Sequence, residues 1–137
     1  MRRYVLDACA LIALLKNEKG EDKVANIIND ADAGNAKIII HKMNLLEVFY
    51  EVYREKGQDR ANSTISEIKK HPIEINSEVT DEIFTHAGRL KATYKISLAD
   101  SIVLAQAMAF DGELLTADHH EFDVIEGKEN VKFAWIR

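Results

Sequence analysis

Cysteine is nearly absent from this 137-residue chain; Cys9 is the only one. That excludes an internal disulfide and every zinc site built from clustered cysteines, and it suits a reducing compartment. Proline occurs once and glycine six times, too little turn-forming material for a sandwich of many tight hairpins. No apolar run is long enough to span a bilayer. The stretch from Arg2 to Leu15 has the outline of a secretory leader. Asp7 interrupts it, however, and Lys16-Asn17-Glu18-Lys19 stands where a small-residue cleavage site belongs. The stretch therefore reads as structure, and we expect a cytoplasmic protein with no membrane partner. An excess of basic charge is also lacking. The net charge of −5 counts against a nucleic-acid binder that works through a basic surface, although a site made of carboxylates would supply most of that excess by itself.

What is present suits a folded domain. The chain is 47% hydrophobic and 30% charged, the balance of a soluble globular protein, and its length supports one core. Tyr4-Val5-Leu6, Ile38-Ile39-Ile40, Ile73 to Ile75, Leu114-Leu115-Thr116 and Val131 to Trp135 read as short strands. Helical spacing predicts helices over Ala8–Leu15, Glu21–Ala33 with Gly34 as its stop, Met43–Lys56, Asp59–Lys70 and Ser97–Phe110. Another is expected from a Ser77 cap to about Tyr94, with Val79, Ile83, Ala87 and Leu90 on one face. Strands alternating with helices predict an α/β fold. We expect a single domain over residues 1–137, with a mainly parallel central sheet of four to five strands flanked by helices. In such folds ligands bind beyond the carboxyl ends of the strands.

Acids fall at those places. Asp7 directly follows the first strand, and Asp118 follows Leu114-Leu115-Thr116 by one residue. Each also has a plain structural reading as a helix cap. Asp100 is more informative. It is the only charge between Ser97 and Phe110, and its helical neighbours Ser97, Val103, Leu104 and Ala107 offer no cation. The first-turn dipole contributes only about 1 kcal/mol, less than burying a carboxylate costs. Glu47 reads differently. The angular count puts it beside Asn44 and Glu51, with Glu55 further along, which describes a solvated face. Carboxylates that converge demand positive charge, and oxygen ligands suit Mg²⁺ or Mn²⁺ better than zinc. Such an ion activates water and neutralises phosphate charge, the needs of phosphodiester cleavage.

Four stretches carry a resemblance: Val5-Leu6-Asp7, Asn44-Leu45-Leu46-Glu47-Val48, Ser97-Leu98-Ala99-Asp100-Ser101, and Leu115-Thr116-Ala117-Asp118 with His119-His120-Glu121-Phe122. In this order, on these elements, the chain resembles the PIN-domain family. It is most similar to the small VapC-type toxins of bacterial and archaeal toxin–antitoxin pairs. The resemblance implies a metal-dependent endoribonuclease in which Asp7, Glu47, Asp100 and Asp118 hold Mg²⁺ or Mn²⁺ and carry catalysis, with Thr116 in support. It also implies hydrolysis by activated water, an RNA substrate, a cognate antitoxin as partner and a homodimer. It raises Glu47 from surface residue to ligand, which the face count does not. One departure stands out: Cys9 occupies a position where the family often has Ser, Thr or Asn, and a thiol is a poor ligand for a hard ion.

Other residues receive smaller roles. Asp123 is a candidate for outer support of the site. Arg2, Arg3, Lys42, Arg89, Lys91 and Lys95 are candidates to hold RNA phosphates, each also readable as an ordinary solvated charge. His119 and His120 could touch substrate or transfer a proton but read more readily as surface; Tyr50 and Tyr53 could stack a base, yet their spacing favours core or dimer packing; Trp135 reads as packing. Among rivals, a haloacid-dehalogenase pattern wants a second Asp where Cys9 stands, and a receiver domain wants paired acids where only Asp7 occurs. A non-catalytic PIN-like RNA- or protein-binding module and a housekeeping RNA-processing nuclease remain alternatives.

Overall fold

A computed structural model describes all residues, Met1–Arg137. Strand β1 (Arg2–Leu6) leads into helices α1 (Ala8–Leu15) and α2 (Glu21–Asp32). Strand β2 (Ala36–His41) follows, then α3 (Lys42–Lys56), α4 (Gln58–Ile68) and strand β3 (Ile73–Asn76). The second half comprises α5 (Asp81–Thr93), α6 (Leu98–Phe110), β4 (Glu113–Thr116), the short α7 (His119–Phe122) and β5 (Phe133–Trp135). The five strands form one sheet in the order β3-β2-β1-β4-β5, and every pairing is parallel. The expected sheet of four to five mainly parallel strands is met.

Parallel strands buried on both faces are apolar throughout rather than alternating, as Ile38-Ile39-Ile40 illustrates. Successive residues serve opposite faces. Tyr4, Leu6, Ile38 and Ile40 join a core with Leu11, Val24, Ile28, Leu45 and Val48 from the first helices. Val5, Ile39 and Leu114 join Leu90, Val103, Leu104, Phe122 and Ile125 on the other face. Chain order runs outward from β1 through β2 to β3, then returns to place β4 on the opposite side of β1. The crevice of a doubly wound sheet opens where strand order reverses, here between the carboxyl ends of β1 and β4.

Two boundaries differ from expectation. The helix expected from Ser77 begins at Asp81, with Thr80 as its cap, its hydroxyl accepting from the Ile83 N–H at 3.2 Å. Asn76 takes over the intervening residues: its Oδ1 accepts from the Glu78 N–H at 3.1 Å, and its amide together with His41 Nε2 donates to the Glu78 carbonyl. That local Asx-type turn competes with helix initiation at Ser77, and Val79 is left 49% exposed. The last strand starts at Phe133 rather than Val131, whose N–H is turned to the Glu129 carbonyl.

Glycine is required at the entrance to α2. Gly20 has φ +98°, and a Cβ there would sit 2.6 Å from the Ile136 carbonyl oxygen. Gly88, inside α5, has open space around it. We expect Gly20→Ala to destabilise the protein by about 2 kcal/mol or more and Gly88→Ala to stabilise it by about 0.5–1 kcal/mol. Urea unfolding of both variants reads the opposite signs.

Candidate active site

Asp7 ends β1 and caps α1. Its Oδ1 accepts from the Ala10 N–H at 2.9 Å, and its Oδ2 accepts from the Thr116 hydroxyl. The side chain is only 5% exposed. Burial pushes its pKa up to about 7, with the charges of Asp100 and Asp118 adding to the rise. The two hydrogen bonds pull the other way without cancelling burial.

Thr116, the last residue of β4, is fully buried. Its hydroxyl donates to Asp7 and accepts from the Asp118 N–H at 3.0 Å, so one side chain couples the ends of the two central strands. Asp118 caps α7 by accepting from the Glu121 N–H at 3.1 Å. The capping role open to both Asp7 and Asp118 is thus real, and both caps face the crevice between β1 and β4.

Asp100 arrives on α6, from the other layer. Ser97 caps that helix, its hydroxyl accepting from the Asp100 N–H at 3.0 Å. Burial pushes Asp100 up to about 6, and the charges of Asp118, Glu121 and Glu47 raise it further. The expected lack of a cationic partner holds: none of the ion pairs includes Asp7, Glu47, Asp100 or Asp118.

The solvated face read for Glu47 needs correction. Asn44, one turn earlier, is 1% exposed, and its amide donates to the Ala99 carbonyl at 3.2 Å and to Glu47 Oε1 at 3.4 Å. Glu47 is half-buried, and burial raises its pKa, with contributions from Glu51 and Asp118. Only the outer end of this stripe is solvated, where Glu51 and Glu55 pair with Lys16. The angular count assigned the stripe correctly but could not see α6 lying across its first turn. Asn44, read from sequence as a surface neighbour, is the residue that fastens α3 to the start of α6. Its Oδ1 has no hydrogen-bond partner.

Asp123 does not join the four acids. It is exposed and pairs with His119 Nδ1 at 2.7 Å. His119 also stacks on Trp135, ring centroids 3.8 Å apart, and bonds the Arg137 carbonyl, so both residues fasten the C-terminus. Arg2 pairs with Glu113 and Arg3 bonds the Phe110 carbonyl, at the opposite edge of the sheet from the acids. Arg89 is taken by Glu129 at 2.7 Å. Lys42, Lys91 and Lys95 are exposed and free of ion pairs. His120 is surface, as expected.

No three His, Cys, Asp or Glu side chains converge into a ready-made cage for an ion. A hard divalent cation does not need one, since it keeps several waters and takes one or two carboxylates together with substrate phosphate. The donor set fits such an ion. It consists of oxygens, and the one nearby thiol, Cys9, is pushed by burial up to about 11 and so stays protonated. Positive charge would draw Asp7 and Asp100 back to their ionised forms.

Stability tests this electrostatic arrangement. Asp100 titrates near 6 in the folded protein against 3.8 for the free group. The folded state therefore holds its proton more tightly, and stability falls as pH rises through that interval. We expect Asp100→Asn to raise the melting temperature of the metal-free protein by a few degrees at pH 8 and to leave it unchanged at pH 3.5. Equal effects at both pH values in thermal melts would contradict the desolvated carboxylate.

None of the curated proteins matches the chain. Its fold is similar to that of VapBC2 from Rickettsia felis bound to a DNA fragment from the promoter. The TM-score is 0.75 and the identity 19%, over 97% of this chain and 98% of that one. VapBC-1 from nontypeable Haemophilus influenzae gives a TM-score of 0.73 at 18% identity, covering 98% of both chains. Mycobacterium tuberculosis VapC20, a sarcin-ricin loop cleaving toxin, gives 0.68 at 12% identity, over 90% of this chain and 95% of that one. At such identities the likeness is one of fold. The PIN domain model, however, matches residues 4–128, a span that contains all four acids and Thr116. The chain belongs to the PIN domain family.

Proposed function

We propose that the protein is an Mg²⁺- or Mn²⁺-dependent endoribonuclease, the toxin of a toxin–antitoxin pair. The observation that carries this reading is a set of carboxylates at the crevice, two of them with raised pKa values near 7 and 6, that no cation neutralises. VapBC complexes and a sarcin-ricin loop cleaving toxin among the structural neighbours support it. The protein acts as a homodimer and has a cognate antitoxin as its partner.

Asp7, Glu47, Asp100 and Asp118 are the groups that would hold the ion. When bound, the metal supplies a Lewis acid that activates water and offsets charge on the phosphate. The chain's own residues do the positioning. Thr116 and the Ala10 N–H fix both oxygens of Asp7, and Asn44 sets Glu47 against the α6 turn that carries Asp100. Three nearby groups are withdrawn from nucleophilic attack. Cys9 remains a thiol, Thr116 is committed to Asp7, and the Ser101 hydroxyl donates to the Leu98 carbonyl at 2.6 Å. Water as the attacking group is what membership of the PIN domain family implies.

Incubation with a single-stranded RNA and Mn²⁺ gives cleavage that stops with excess chelator. Asp100→Asn lowers the rate by about a thousandfold with an unchanged circular dichroism spectrum, and Thr116→Val lowers it by about tenfold to a hundredfold. Cleavage that survives full chelation, or full activity in Asp100→Asn, overturns the reading. Light scattering at micromolar concentration gives twice the chain mass; a monomer removes the dimer.

A further inference from the structure

Helix α3 carries more than Glu47. At 100° per residue, Tyr50 and Arg54 lie on the same stripe, three and seven positions further along. A rise of 1.5 Å per residue sets them about 4.5 and about 10.5 Å along the axis from Glu47. That interval is comparable to one step of an extended nucleotide chain. Tyr50 is 46% exposed, so the core does not occupy its ring face. Tyr53 is equally exposed but lies off the stripe and packs on Phe49, centroids 5.8 Å apart.

A groove of about 360 Å³ runs along this stripe, lined by Cys9, Glu47, Tyr50, Glu51 and Arg54 among others. It shares Glu47 with the acid cluster and reaches Ala8, the residue directly after Asp7, so it continues the candidate active site. Its size is that of a small-ligand site. The acids along it other than Glu47 already have partners: Glu51 takes Lys16 at 3.2 Å and Glu18 takes Arg137 at 3.5 Å. Arg54 has no carboxylate of its own. Its guanidinium instead lies 5.6 Å from the centre of the Tyr50 ring. A planar cation already occupies the place over the ring where another flat group can stack.

We propose that this groove is a nucleotide subsite, in which the base next to the scissile phosphate of a single-stranded RNA stacks on Tyr50 and Arg54 meets the following phosphate. This rests on the ribonuclease reading and names how that site takes its substrate. The stripe orders the three requirements along one helix: a carboxylate at the reacting phosphate, an aromatic plane for the base and a free cation beyond it. Stacking is tolerant of sequence because every base has a flat face, so the subsite positions the strand rather than reading it. The uncharged base faces the groove, whose acids repel phosphate. Arg54 stands at the outer end, where the backbone re-emerges.

The test is binding without turnover. Fluorescein-labelled ten-nucleotide strands of oligo(A), oligo(C) and fully abasic ribose phosphate are titrated with protein in Ca²⁺, and anisotropy is read. Tyr50→Ala weakens binding of oligo(A) and oligo(C) by roughly tenfold and leaves the abasic strand unchanged. Tyr50→Phe, which keeps the ring, binds like the unmodified protein. Arg54→Ala weakens all three strands alike, and its effect shrinks as salt rises. If the unmodified protein binds and cleaves RNA while Tyr50→Ala binds the base-bearing strands equally well, the subsite is wrong and the nuclease stands. If the unmodified protein neither binds any strand nor cleaves RNA with Mn²⁺, both fall together.

Discussion

The carboxylate of Asp7 is the constraint around which the site is arranged. It is 5% exposed, and both its oxygens are held, one by the Ala10 N–H and the other by the Thr116 hydroxyl. Those donors fix its position without neutralising it, and its pKa remains about 7. Asp100 and Asp118 make matters worse, because their charges raise the cost of ionising Asp7 further. A fold that gathers like charges in a half-buried crevice, with no lysine or arginine to meet them, is incomplete electrostatically. That unmet demand for positive charge is the physical basis of the metal chemistry proposed for the chain.

The topology explains why the four acids lie at one end of the sheet. Strand order reverses at β1, so the carboxyl ends of β1 and β4 open into one crevice. The two helical layers then each deliver an acid from outside the sheet. Glu47 comes on α3 from the face built on Leu6 and Ile40, and Asp100 comes on α6 from the face built on Val5 and Ile39. Asn44 joins the layers with one bond to the Ala99 carbonyl. Thr116 joins the strand ends through Asp7 and Asp118. Thr116 thus holds Asp7 and the Asp118 backbone, Asn44 holds Glu47, and Ser97 holds the start of the turn that carries Asp100.

Much of this was legible in the sequence, for identifiable reasons. Buried parallel strands leave plain apolar runs, and Asp7 and Asp118 sit directly after two of them. Asp100 is conspicuous because a helix otherwise free of charge has no cause to carry it. Glu47 could not be recognised from periodicity, because its face is solvated at one end and covered at the other, and helical spacing does not report what lies across it. Only the resemblance to the PIN-domain family brought it in. Ser77 misled because an Asx turn at Asn76 competes for the same backbone. The partner of Asp123 was not legible either: His119 takes it, an interaction formed only once Trp135 and Arg137 fold back against α7. Spacing favoured core or dimer packing for Tyr50, and its exposure removes the core half of that reading.

The central claim concerns one carboxyl group, and carbon-13 NMR of the aspartate side chains across pH observes it directly. In the metal-free protein Asp7 should titrate about 7, and saturating Mg²⁺ should bring it down to or below the ordinary carboxylate range. An Asp7 that titrates near 3.8, the value for the free group, and ignores Mg²⁺ would contradict the account.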